Sequence, residues 1–96
     1  MIVHIALFRW RKNVSKEQIN KTIKHLKRLK DSLYGIIDIM AGENFSKHSK
    51  GFTHGVVVIA KDKSALEACR NHPSHLAIAK EIEAMEEDGI GFDLEN

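Results

Sequence analysis

The chain alternates between two patterns: segments apolar at nearly every position, and segments apolar at every third or fourth one. Ile2 to Trp10 is of the first kind, rich in β-branched and aromatic residues and too short for an ordinary helix, so it reads as a strand. Its faces are Val3, Ile5, Leu7, Arg9 and Ile2, His4, Ala6, Phe8, Trp10, and both call for cover. Ser15-Lys16-Glu17-Gln18 then has the form of a capping box, in which a Ser hydroxyl takes an amide of the first helical turn. Ile19, Ile23, Leu26, Leu29 and Leu33 follow with a 3.6-residue period. The intervening lysines form a solvated face, and Gly35 supplies a C-terminal stop.

Ile36 to Gly42 predicts a second strand, Glu43 to Gly51 a polar loop, and Phe52 to Ala60 a third strand around Val56-Val57-Val58-Ile59. Asp62 or Ser64 opens the next helix, which breaks near Asn71 ahead of Pro73. A further helix is expected from Ser74 to Glu87 with Leu76, Ala79, Ile82 and Met85 inward, stopped by Gly89. Ile90 to Leu94 alternates as a last strand. The order β-α-β-β-α-β, with right-handed crossovers, gives an α+β fold: a four-stranded antiparallel sheet with helices on one face. The other face would carry Val3, Ile5, Leu7, Val57 and Ile59, a large apolar patch for a small protein. Two such sheets packed face to face would cover it, so a homodimer whose sheets form one barrel is expected.

Composition narrows the function. The 96 residues, taken as one domain over 1–96, carry 15 Lys+Arg against 13 Asp+Glu. A net charge of +2 with the lysines at helical spacing gives no nucleic-acid footprint. The apolar N-terminal run is too short and interrupted for a membrane span and lacks the basic flank of a signal, so a cytoplasmic protein with no membrane role is expected. Cys69 is the single cysteine, and a buried, inert thiol is the simplest reading of it.

The chemistry-bearing residues are histidines. His4 and His54 sit in apolar strands, and His72 and His75 flank Pro73-Ser74 at a break between helices. Imidazole nitrogens need partners once buried, so such placement suggests a polar spot within an apolar pocket. If His4 and His54 point toward the helices, they converge with His75 on a cavity. Ala6, Phe8, Val56 and Val58 share their parity and would line it, with Ile23, Leu26, Cys69, His72 and Ile78 from the helical side. A histidine near neutral pKa can take a proton beside a carbonyl or give one to an oxyanion. The plainer alternative is a helix-initiating turn with its imidazoles bonded to the backbone. No spacing matches a metal motif, and no cofactor is called for.

His4-Ile5-Ala6-Leu7-Phe8-Arg9-Trp10, Gly42-Glu43-Asn44-Phe45, Gly51-Phe52-Thr53-His54-Gly55 and His72-Pro73-Ser74-His75, in that order, resemble the stress-responsive A/B barrel domain family of the dimeric α/β barrel superfamily. The resemblance spans nearly the whole chain. It implies a ferredoxin-like protomer and a homodimer. It also implies a heterogeneous set of functions, including plant stress proteins and cyclases acting on poly-β-keto substrates. By resemblance to the cyclases, His75 would be the general base, assisted by His4 and His54. Those enzymes place a Tyr hydroxyl where this chain has Cys69, and a thiol is a weak hydrogen-bond donor. Three expectations follow: a binder of a small, partly apolar carbonyl or aromatic ligand, a cyclase- or isomerase-like enzyme, or a structural stress protein without chemistry.

Overall fold

The computed structural model describes all of residues 1–96. The strands are β1 (Ile2–Trp10), β2 (Ile36–Glu43), β3 (His54–Ala60) and β4 (Glu86–Glu95), and the helices are α1 (Lys16–Arg28), α2 (Lys63–Asn71) and α3 (Pro73–Met85). A 3-10 turn, Leu29–Ser32, extends α1. The sheet runs β2-β3-β1-β4, with every neighbouring pair antiparallel. This is the interleaved α+β fold that the element order predicts.

Local signals account for the helix boundaries. The Ser15 hydroxyl accepts from the Gln18 amide at 3.1 Å. At α2 the carboxylate of Asp62, not Ser64, is the cap, accepting from the Ala65 amide at 2.8 Å. Gly35 turns the chain into β2 with φ +79°, a region costly for a residue with a side chain, and an added Cβ would lie 2.7 Å from that of Ala65. The single residue His72 ends α2 and opens α3, its Nδ1 accepting from the Ser74 amide at 3.1 Å, with Pro73 at the first helical position.

Two expectations need correction. The last helix ends at Met85 rather than Glu87, and β4 begins at Glu86 with no loop between them. Gly89 therefore lies inside a strand, opposite Phe8, and stops nothing. Pairing overrides local propensity here: Trp10 lies opposite Glu86, and the Arg11 amide donates to the Met85 carbonyl at 2.9 Å. The inner stripe of α3 is Ile78, Ile82 and Met85, and Leu76 is exposed.

The core lies between the sheet and the helices. Ile2, Phe8, Val56, Val58, Ile36 and Ile39 meet Ile23, Leu26, Leu29, Leu33, Leu66, Cys69, Ile78 and Ile82. The opposite sheet face is open in the single chain. Val3, Ile5, Leu7, Val57 and Ile59 are half-buried there. Met40 and Ile90, Phe92 and Leu94 of β4 are roughly half exposed beside them. No helix is long and apolar enough to cross a membrane.

Candidate functional site

Strand register decides which histidines can meet. His4 lies opposite Val58 in β3 and opposite Asp93 in β4. His54 lies opposite Phe8, four residues along β1 from His4. At about 3.4 Å per residue that is roughly 14 Å. His4 and His75 line one small chamber between the sheet and α2, together with Leu26, Leu29, Ile39, Val56, Val58, Leu66, Cys69 and Arg70. His54 is outside it, so the expected three-histidine cluster reduces to a pair.

The expected lining is likewise sorted. Leu26, Val56, Val58 and Cys69 border the chamber. Phe8, Ile23 and Ile78 are core residues away from it, and Ala6 packs against that core. His72 is occupied as the cap of α3 and faces a surface depression on the other side of α2.

His54 belongs to a closed arrangement. Its Nδ1 accepts from the Trp10 indole at 3.0 Å, and Thr53 Oγ1 is 2.8 Å away. Indole N–H can only donate, so Nδ1 carries the lone pair and the ring proton sits on Nε2. The Thr53 hydroxyl is then a second donor to Nδ1. Burial pushes the His54 pKa down, and the Glu43 charge offsets this only in part. A proton on Nδ1 would have to displace the indole.

The chamber end is different. His4 Nδ1 pairs with Asp93 Oδ1 at 2.5 Å, and Asp93 Oδ2 accepts from Arg70 at 2.7 Å. Those two hydrogen bonds, His4 first, hold the Asp93 carboxyl below its ordinary range. In neutral His4 the bond to Asp93 fixes the proton on Nδ1 and leaves Nε2 as a lone pair, the way a carboxylate orients an imidazole base. His75 stands in the first turn of α3, and its Nδ1 is buried without any hydrogen-bond partner. Burial lowers its pKa, the Arg70 main chain pulls it back up, and the charges of His4 and Arg70 lower it further. His75 is therefore neutral at pH 7 and able to accept or donate at Nδ1 according to tautomer. Burial also pushes the Cys69 thiol up, so it is no nucleophile at neutral pH.

Arg70 and Asp93 were not singled out in the sequence. Asp93 had a legible signal, as a charged residue on the inward parity of a strand whose other parity is Ile90, Phe92 and Leu94. Arg70, one residue from Cys69 on a short helix, had none. The chamber holds about 40 Å³. A water needs on the order of 10–15 Å³ by this kind of measure, and drug-sized ligands occupy roughly 300 Å³ or more. As it stands, the chamber takes a few heavy atoms. No group of three or more His, Cys, Asp or Glu is placed to hold a metal ion.

The stress responsive A/B barrel domain family matches residues 2–96. The chain belongs to that family. Comparison with curated proteins finds no match. Among solved structures, a dimeric ferredoxin-like protein of unknown function from Thermobifida fusca superposes with TM-score 0.88 at 25% identity, over 99% of this chain and 90% of that one. An Arabidopsis thaliana protein gives TM-score 0.91 at 21% identity, covering 100% and 95%. A hydroxynitrile lyase from Passiflora edulis gives 0.89 at 20%, covering 97% and 90%. The A/B barrel family thus contains dimers of this protomer fold, and at this level of identity the likeness establishes fold and not activity.

Proposed function

We propose that this A/B barrel protein is a cytoplasmic homodimer that binds a small, partly apolar carbonyl or hydroxyl compound in the chamber between the sheet and α2. The carrying observation is the His75 Nδ1, buried beside a largely apolar chamber with no hydrogen-bond partner. Buried polar atoms almost always have a partner, and leaving one without costs about 1–3 kcal/mol. A ligand hydroxyl or carbonyl oxygen would satisfy it. Native mass spectrometry of the purified protein tests this reading: a discrete bound mass that is lost in His75→Leu supports it. Each protein flying at the mass of its own chain, with nothing bound, would refute it.

Dimerisation rests on the open sheet face and on the dimeric state of the solved relatives. Val3, Ile5, Leu7, Val57 and Ile59 would form the centre of the interface, with Phe92 and Leu94 at its margin. Ile5→Glu would bury an unpaired charge there, and sedimentation should then show a monomer at micromolar concentration.

Acid–base catalysis is a second reading, favoured by the His4–Asp93 pair. His75 Nδ1 would take a proton from a hydroxyl, or from a carbon beside a carbonyl, while His4 handles the second proton. A lyase among the structural relatives and the resemblance to cyclases both fit such chemistry. Turnover of a small cyanohydrin or β-keto compound that vanishes in His75→Leu, with folding intact, would favour this reading; activity unchanged in that variant would retire it.

A further inference from the structure

The chamber is small, so anything larger than a few atoms must extend past its rim. Two surface hollows flank α2, and each shares wall residues with the chamber. On one side a depression of about 440 Å³ borders it through Cys69 alone. Cys69 is 3% exposed and fixed in the core, and a short side chain on a packed helix has nowhere to swing. On the other side a groove of about 380 Å³ runs between α2 and the β1–β4 edge, and it borders the chamber through Leu66 and Arg70. Arg70 and Asp93, whose side chains are 39% and 46% exposed, close that border through the 2.7 Å bond between them. An exposed ion pair of this kind is held only weakly against water, so it opens readily.

We infer that the Arg70–Asp93 pair is the gate of the chamber, and that the α2–β4 groove holds the rest of a ligand whose carbonyl end meets His75. This rests on the binding reading above and adds a route, a gating residue and a ligand class. Chamber and groove joined reach about 400 Å³, the scale of ordinary small-molecule sites. The occupant is uncharged. Within the groove, Arg70 and Lys63 stand against Asp93, Glu95 and Glu67, so its lining has no excess positive charge to hold an anion. Ile2 and Leu66 supply the apolar part of the groove wall, against which an alkyl chain can lie. Opening has a chemical corollary. The carboxylate that Arg70 leaves is the one that orients His4, so passage of the ligand and the hydrogen bonding of that imidazole are coupled.

The test uses the full-length protein and a series of methyl ketones, acetone, 2-pentanone and 2-heptanone, followed by the histidine ring signals in NMR. The expected result is saturable binding that tightens roughly threefold to fourfold per added methylene. Arg70→Gln should speed association of 2-heptanone at least several-fold. Lys63→Trp plugs the groove from an exposed position and should remove the gain with length, whereas Ala68→Trp, in the opposite depression, should not. Acetone binding with no length dependence, or a gain abolished by Ala68→Trp instead, overturns the gate and leaves the binding reading standing. No ketone binding at all, acetone included, overturns both.

Discussion

Two histidines, His54 buried at the start of β3 and His75 half-buried in α3, make an instructive pair. Burial moves the pKa of each downward, and both stay neutral at pH 7. Their hydrogen bonding differs. His54 Nδ1 receives the Trp10 indole and lies against the Thr53 hydroxyl, within a ring stack that includes Phe8. His75 Nδ1 receives nothing. A depressed pKa therefore does not distinguish a structural histidine from a candidate site histidine, and the count of hydrogen-bond partners does.

The comparison can be broken most forcefully at the satisfied end. Trp10→Phe removes the indole donor and its packing, and we expect a loss of about 2–3 kcal/mol in urea unfolding. At the other end His75→Leu removes an unpartnered polar atom at similar volume, so the stability should stay within about 1 kcal/mol of the parent, or rise. A larger loss in His75→Leu than in Trp10→Phe would reverse the assignment of roles. Between these, Asp93→Asn weakens the hold on both His4 and Arg70 at a half-exposed site. It should cost about 1 kcal/mol, with the His4 ring signals shifting in NMR.

Titration sharpens the same contrast. Both histidines have folded pKa values below the unfolded value of about 6.5, so the unfolded chain binds more protons as pH falls. Their contribution to stability is present above pH 6.5 and is lost as pH falls through the folded values. Thermal melts between pH 7.5 and 5 should show this decline, and Trp10→Phe should flatten the part owed to His54. A further effect concerns Glu81. Burial works against its charge, but bonds from Thr22 at 2.6 Å and His25 at 3.1 Å outweigh that and bring its pKa below normal. Thr22→Val should raise the Glu81 pKa and cost about 1 kcal/mol, read by NMR titration of the carboxyl.

Much of this was legible in the sequence, for reasons that can be named. The parity of His4 and His54 sorted the two faces of the continuously apolar β1 and β3, and the 3.6-residue period set the buried stripe of α1. The three-histidine cluster failed because parity says which face a side chain occupies and nothing about position along the strand. That coordinate comes from register, which Phe8 opposite His54 and Val58 opposite His4 fix only in the folded sheet. The end of α3 was misplaced for a related reason. Glu86-Glu87-Asp88 has no strand propensity of its own, and pairing with Arg9 and Trp10 recruits it. The Arg9–Glu87 and Arg9–Asp88 ion pairs then accommodate its charge.

The seams around α3 carry a consequence for how such a chain can diverge. One residue, His72, serves both α2 and α3, and none separates α3 from β4. A single inserted or deleted residue ahead of His75 would turn it about 100° around the helix axis, off the chamber altogether. Descendants of this sequence can therefore retune the chamber by substitution while its reading frame stays locked. Length variation is left to the exposed stretch between β2 and β3, where Phe45 lies almost wholly in solvent and nothing near the chamber depends on the count.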